Sequence, residues 1–212
     1  MSRSTNDPQP DAPGLRATPD ACDTPEAEGV LPRLWPQGSI SLIGMAGAGK
    51  STLGRLLAEK LAWAHVDTDK LIESYYGLPL QDVLDGLGLQ KFLEAENTLV
   101  AMLNVRRAVI STGGSVVYGR EAMERLHLLG PVVHLDISMA GFLKRVGDGS
   151  NRGLAIAPGR TREDLYLERQ PLYQAAADFT VNTDSNDQHA SLERLYAWLA
   201  ADAEAVAQEG QE

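Results

Sequence analysis

Residues 44–52 read Gly-Met-Ala-Gly-Ala-Gly-Lys-Ser-Thr and match the phosphate-binding loop pattern G-x-x-x-x-G-K-[ST]. An apolar stretch at 39–43 predicts a buried strand before the loop, and leucines at helical spacing follow it. In such a strand–loop–helix unit, backbone N–H groups and the positive end of the helix point at phosphate oxygens. We therefore predict a nucleotide-binding loop. Its predicted contacts come from Gly44, Gly47, Ala48, Gly49, Lys50, Ser51 and Thr52.

Two side chains of this loop bear on phosphoryl transfer. The Lys50 ammonium is expected to reach the β- and γ-phosphates, where it would act in catalysis, and the Ser51 hydroxyl is expected to ligate Mg²⁺. The predicted cofactors are therefore ATP and Mg²⁺.

The charge of the chain is concentrated at its two ends. The net charge is −10 over 212 residues; residues 1–37 hold six acids and three arginines, and residues 201–212 hold four acids and no base. The first segment also holds seven of the eleven prolines and has no apolar periodicity. We predict a disordered acidic tail at 1–37, one domain at 38–200 and an acidic tail at 201–212.

Several classes of function are disfavoured by composition. An acidic chain without a basic stripe is a poor nucleic-acid binder. No apolar run has the length of a signal peptide core or a membrane span. Cys22 is the single cysteine, so a disulfide framework or cysteine metal site is not expected. We expect a cytoplasmic monomer that binds a small molecule rather than a nucleic acid or a membrane.

Short apolar segments alternate with helical patterns after the loop. Strands are predicted at 64–67, 108–111, 132–136 and 179–181, and helices at 71–76, 89–105, 120–129, 138–145, 162–176 and 192–205. This order predicts a three-layer α/β fold, with a parallel sheet covered by helices on both faces. The glycine-rich segment at 147–153 is predicted to be a mobile loop.

Asp67 and Asp69 follow the second predicted strand. On an extended backbone, residues two apart point the same way, so both carboxylates are expected to face the phosphate loop. Asp67 would hold Mg²⁺, and Asp69 would accept the proton of an attacking hydroxyl. The alternative is a helix-capping aspartate with a solvated neighbour.

Three further features are candidates for the site. Gly113-Gly114 follows a strand, which fits either a turn with positive φ or a close approach to a ligand. Arg152 in the glycine-rich segment could close over phosphates, or could be an ordinary surface arginine. Arg169 could form a bidentate pair with a substrate carboxylate, or a surface ion pair.

Taken together, these motifs resemble the shikimate kinases over residues 38 to about 184. The resemblance implies a P-loop kinase fold with a mobile lid, and a hydroxylated carboxylate as acceptor. It implies that Asp67 is the magnesium-side carboxylate and that Asp69 is the base at the acceptor hydroxyl. It also implies that Arg152 is the lid arginine on ATP and that Arg169 binds the acceptor carboxylate.

The chain departs from this family on the acceptor side. Shikimate kinases carry Phe-Arg-x-x-Glu where this chain has Phe92-Leu93-Glu94-Ala95-Glu96, and three glycines where it has Gly113-Gly114-Ser115. By resemblance, Leu93, Glu96, Gly113, Gly114 and Ser115 belong to the acceptor site. A carboxylate that has lost its arginine needs another cation, and a substrate ammonium would serve. We therefore predict a small hydroxy amino acid such as homoserine as the acceptor.

Three alternatives remain beside this hypothesis. Shikimate is the first alternative acceptor, and a sugar acid such as gluconate is the next. The rival from another class is a regulator that binds a nucleotide without catalysis. Retention of Asp69 argues against that rival, because nucleotide binding alone needs no acceptor-side carboxylate.

Overall fold

A computed structural model of the chain describes residues 38–147, 154–185 and 187–209, and the side chains as far as residue 202. The strands in these ranges are Ile40–Ile43 (β1), Ala64–Asp67 (β2), Ala108–Ser111 (β3), Val132–Asp136 (β4) and Phe179–Asn182 (β5). The α-helices are Lys50–Leu61 (α1), Thr68–Tyr76 (α2), Leu80–Leu87 (α3), Leu89–Ala101 (α4), Arg120–Leu129 (α5), Met139–Val146 (α6), Arg162–Ala176 (α7) and Gln188–Glu209 (α8). A short 3-10 helix spans Val116–Tyr118.

The five strands form one parallel sheet in the order β2-β3-β1-β4-β5. Every residue of β1 and of β3 is buried. Because successive side chains of a strand point to opposite faces, full burial means that both faces of the sheet are covered. The predicted three-layer α/β fold is confirmed.

The parallel pairing brings three loops to one edge of the sheet. Ser111 at the end of β3 pairs with Leu42 of β1 and with Asp67 of β2. The phosphate loop, the β2–α2 junction and the turn after β3 therefore all begin at the carboxyl edge. Ligands of open α/β sheets bind at this edge.

The structure contains one helix that we did not predict. Leu80, Val83, Leu84 and Leu87 repeat at the spacing of one helical face, and they form the inner side of α3. The surrounding Pro79, Gly86 and Gly88 read as loop signals and hid this pattern. Helix α3 packs with α2 and α4 around a small apolar cluster that contains Ile72 and Phe92.

The bounds of three helices also differ from the prediction. Helix α2 begins at Thr68 rather than at 71, α4 ends at Ala101 rather than near residue 105, and α8 runs from Gln188 to Glu209 rather than from 192 to 205. Residues 1–37 lie outside the described ranges, so the division into two tails and a domain stays a prediction. Among the described helices, none combines the length and the apolar character that a bilayer span requires.

Gly130 offers a test of this packing. It joins α5 to β4 with φ +147°, and a Cβ there would lie 2.0 Å from the Ser39 carbonyl oxygen. We expect Gly130→Ala to lower the free energy of unfolding by about 3 kcal/mol, because backbone must shift to admit the methyl group.

The matched control is Gly86→Ala in α3, where an added Cβ meets no atom within 4 Å. Alanine there should raise the free energy of unfolding by up to about 1 kcal/mol through helix propensity. Urea denaturation of the two variants measures both values. Equal stabilities would contradict the packing described.

Candidate active site

The phosphate loop connects β1 to α1. Gly49 caps α1 in the left-handed conformation with φ +95°, which turns the loop into the helix. The Lys50 side chain is only 8% exposed, and its Nζ donates to the carbonyl oxygens of Gly44 at 2.7 Å and Met45 at 2.8 Å. Burial lowers the pKa of Lys50 to about 8, although the nearby Asp69 acts in the opposite direction. A cationic amine thus lies within the curl of the loop.

Ser51 and Asp67 bring two oxygen ligands together. Ser51 Oγ donates to Asp67 Oδ2 at 2.7 Å, while Asp67 Oδ1 accepts from the N–H groups of Asp69 and Lys70 at the start of α2. Asp67 is therefore a helix cap, and its second oxygen faces the loop. An oxygen pair of this kind suits Mg²⁺, which keeps several waters and takes few carboxylates. Among the described residues no group of three His, Cys, Asp or Glu side chains could hold a metal.

Asp69 reaches the site by a different route from the one expected. The strand ends at Asp67 and Asp69 lies in the first turn of α2, so the argument from an extended backbone was wrong. The helix nevertheless directs its carboxylate into the cavity described below. Burial raises the pKa of Asp69 to about 6, against the attraction of Lys50.

Glu96 lies in α4 beneath the turn that follows β3. It is 1% exposed, and its Oε1 has no hydrogen-bond partner among the described residues. Burial raises the pKa of Glu96 to about 7, and a hydrogen bond from Ser115 acts in the opposite direction. The charges of Arg169 and Lys50 also lower this pKa, so a serine hydroxyl and two cations of the protein act on the carboxylate.

Gly113 is needed because protein carboxylates crowd it. A Cβ at this position would lie 2.2 Å from Glu96 Oε1 and 2.7 Å from Asp69 Oδ1. Neither Gly113 nor Gly114 has a positive φ, so the turn explanation for this pair is excluded. The two oxygens approach one point, which places them within about 5 Å of each other, and the charge of Asp69 raises the pKa of Glu96.

Arg169 comes to the site from α7. It is 1% exposed, its Nη2 donates to the carbonyl oxygen of Ala155, and its Nη1 lies beside Gly114. The carbonyl oxygen of Gly114 also accepts a hydrogen bond from the Tyr173 hydroxyl. The guanidinium therefore faces the phosphate loop across the turn after β3.

These groups surround a cavity of about 280 Å³. Its lining residues are Ala46, Gly47, Gly49, Lys50, Ser51, Thr52, Asp69, Thr112, Gly114, Ser115, Leu154 and Arg169. The predicted residues Gly44, Asp67, Glu96 and Gly113 lie behind this lining. Arg152 lies outside the described residues.

Leu93 is the predicted site residue that the structure does not bring to this cavity. Its side chain lines a separate cavity of about 450 Å³, together with Tyr118, Ala155 and Leu165. Tyr118 and Ala155 both contact Arg169. These two residues therefore lie between Leu93 and the cavity beside the phosphate loop.

A third cavity, of about 200 Å³, adjoins the outer side of the loop and includes Ala48. Our sequence reasoning missed Arg145, at the end of α6, which lines this cavity and donates to the carbonyl oxygens of Gly47 and Thr183. In the sequence, Arg145 resembles any basic residue in the last turn of a helix.

Comparison with known proteins agrees with this geometry. A family model described as Shikimate kinase matches residues 46–200. The chain belongs to the shikimate kinase family. A shikimate kinase of Moorella thermoacetica is 38% identical over 169 residues, which cover 76% of this chain and 96% of that protein. One of Vibrio vulnificus is 37% identical over 149 residues, covering 69% and 87%.

Solved structures give the same assignment. The shikimate kinase of Acinetobacter baumannii in complex with shikimate superposes with a TM-score of 0.74 at 27% identity, over 81% of this chain and 98% of that one. That of Aquifex aeolicus gives 0.65 at 28% identity, over 79% and 98%. The P-loop kinase fold is thus confirmed, and the chain is a small-molecule kinase with an alcohol group as acceptor.

The homoserine hypothesis was wrong. The relatives are named shikimate kinases, and one solved neighbour holds shikimate. The error has a structural cause, because the hypothesis required an unpaired acid facing the substrate. In the structure Glu96 lies behind Gly113 with Ser115 as its partner, and Leu93 lines another cavity.

The buried Glu96 leads to a stability prediction. Its pKa is 4.5 in the unfolded chain and about 7 in the folded protein. Because the folded protein disfavours the ionised carboxylate, the free energy of unfolding decreases as the pH rises from 4.5 to 7. We expect Glu96→Gln to raise the free energy of unfolding at pH 8 by about 2 kcal/mol, and by far less at pH 5.

Urea denaturation at the two pH values measures this difference. The control is Glu94→Gln, an exposed position on the same helix, which should change little at either pH. A Glu96→Gln variant that loses stability equally at both pH values would show that Glu96 is not a destabilising buried carboxylate.

Proposed function

We propose that the protein transfers the γ-phosphoryl group of ATP to a hydroxyl group of shikimate. The observation that carries this proposal is the 280 Å³ cavity, where Lys50, Asp69 and Arg169 meet beside the phosphate loop. Lys50 suits the phosphates of the donor, Asp69 suits the acceptor hydroxyl, and Arg169 suits the acceptor carboxylate. The relatives named shikimate kinases support this choice of acceptor.

The donor side is formed by the phosphate loop and its neighbours. Lys50 would exchange the carbonyl oxygens that it contacts for phosphate oxygens, and the loop N–H groups would hold the remaining charge. The 200 Å³ cavity beside Thr52 and Arg145 would take the nucleoside, because a planar guanidinium stacks well on a base. We keep Arg152 as a predicted phosphate contact.

Ser51 and Asp67 would hold Mg²⁺, which when bound would neutralise charge on the phosphate oxygens. Asp67 stays anchored by the helix N–H groups that it caps, so its outer oxygen is held in place. The Ser51 hydroxyl and this oxygen would both turn to the metal. The remaining ligands would be water and phosphate, as Mg²⁺ prefers.

The acceptor side depends on Asp69 and Arg169. With a pKa of about 6, Asp69 is mostly ionised at neutral pH and is basic enough to accept the hydroxyl proton. Arg169 would bind the shikimate carboxylate and so fix the distance from that carboxylate to the hydroxyl at Asp69. A cytoplasmic monomer that binds neither nucleic acid nor membrane remains our expectation.

Acceptor-dependent ATP consumption tests the proposal. Wild-type protein with ATP and Mg²⁺ should form ADP rapidly with shikimate, and slowly or not at all with homoserine or gluconate. Asp69→Asn should lower kcat by about 100- to 10,000-fold, because the amide accepts no proton.

The matched control is Asp82→Asn, at an exposed position of α3, which should keep wild-type kcat and KM. Mass spectrometry of the product would identify the phosphorylated acceptor. Absence of any shikimate-dependent turnover in the wild-type protein would overturn the proposal.

A further inference from the structure

Tyr118 makes two contacts with Arg169 and one with the neighbouring Glu168. It is the last residue of the 3-10 helix that follows the Gly113–Ser115 turn. Its hydroxyl oxygen accepts a hydrogen bond from Arg169 Nε at 3.2 Å and donates to Glu168 Oε1 at 2.6 Å. The Arg169 guanidinium carbon also lies 5.1 Å from the centre of the Tyr118 ring. A tyrosine thus supports the arginine both through its hydroxyl and through its face.

The direction of the hydroxyl proton is set by Glu168. A tyrosine hydroxyl has one proton, and a carboxylate can only accept. Because Glu168 takes this proton, the oxygen lone pairs of Tyr118 remain for Arg169 Nε. Arg160 holds Glu168 from its other oxygen at 3.1 Å. The hydroxyl is thereby fixed as an acceptor towards the arginine.

The guanidinium is held along two edges and one face. Nε is bound by Tyr118, Nη2 is bound by the Ala155 carbonyl oxygen, and the ring of Tyr118 lies against the plane. The Nη1 edge lies towards Gly114 and the 280 Å³ cavity, where the Tyr173 hydroxyl also forms a hydrogen bond with the guanidinium. The arrangement presents that edge to a bound anion.

This support matters because Arg169 is the single guanidinium among the described residues that line the cavity. The other basic side chain among those residues is Lys50, which belongs to the phosphate loop. Leu93 occupies the place of the second arginine of the resembled pattern. The orientation of Arg169 therefore bears directly on how an acceptor carboxylate is bound.

We propose that Tyr118 is a positioning residue, which orients Arg169 for the acceptor carboxylate and makes a single guanidinium sufficient as the clamp. This inference rests on the proposed function, since it assumes that the carboxylate of shikimate binds Arg169. Tyr118 itself is separated from the phosphate loop and takes no part in phosphoryl transfer. Its effect is on acceptor affinity and on the preference for an anionic acceptor.

Steady-state kinetics of Tyr118→Phe tests this role. The variant keeps the ring under the guanidinium and loses the hydroxyl. We expect the KM for shikimate to rise about tenfold, since a hydrogen bond to a charged group is lost, while kcat and the KM for ATP change less than about threefold. Tyr118→Leu, which also loses the ring contact, should raise the KM for shikimate further.

Two controls separate positioning from general damage. Tyr166→Phe removes a hydroxyl from the same helix as Arg169, but that hydroxyl bonds the Ile137 carbonyl oxygen instead, so all constants should stay near wild type. With the methyl ester of shikimate, which lacks the anionic carboxylate, wild type and Tyr118→Phe should have the same kcat/KM within about twofold. A structural defect would lower turnover of both acceptors alike.

The outcomes distinguish this inference from the proposed function. If the wild-type protein does not phosphorylate shikimate, the proposed function fails first. If wild type is active and Tyr118→Phe has an unchanged KM for shikimate, or loses equal activity on acid and ester, Tyr118 has no positioning role. A selective rise in the KM for the acid supports the inference, whether or not the leucine variant folds.

Discussion

The parallel pairing of β3 between β2 and β1 is the constraint on which the site depends. The carboxyl ends of β1, β2 and β3 therefore lie at one edge of the sheet. The phosphate loop, the Asp67 cap and the Gly113 turn become neighbours there, although up to about 70 residues separate them in the chain. The burial of every residue of β1 and β3 keeps this edge rigid, since neither strand can slip without exposing apolar side chains. Groups placed there are held by the whole sheet rather than by their own loops.

Four charged side chains share the space that this edge provides. Lys50, Asp69, Glu96 and Arg169 are largely buried, and each shifts the pKa of at least one of the others. Buried charges are costly unless they are paired. The two acids approach one another across Gly113, and the two cations both line the cavity. The two positive and two negative side chains therefore offset each other before any ligand binds. The raised pKa values of both acids reflect the remaining cost of burial.

Local patterns predicted most of the fold and about half of the site. The strands are short, β1, β3 and β4 are largely apolar, and the phosphate loop has fixed spacing, so these features were predictable from neighbouring residues alone. The missing helix α3 and the position of Asp69 were not, because Pro79, Gly86 and Gly88 read as loop and because a capping Asp67 began a helix where an extended chain was assumed. The direction of Leu93 and the Ser115–Glu96 hydrogen bond depend on how α4 packs against the turn after β3. No spacing in the sequence encodes such a contact.

The failed homoserine hypothesis shows how a lost ion pair can be misread. We assumed that replacement of an arginine by Leu93 left Glu96 without an ion-pair partner, and that a buried carboxylate without such a partner requires a cation. The structure supplies two other solutions at once. Burial makes Glu96 far easier to protonate, and Ser115, in a position where the family pattern has glycine, donates a hydrogen bond to it. The charges of Arg169 and Lys50 also favour the ionised carboxylate, so the change at Leu93 does not require a cationic substrate. Arg169 is the single guanidinium among the described residues that line the cavity, so our proposal for the acceptor carboxylate depends on that side chain and on the residues that orient it.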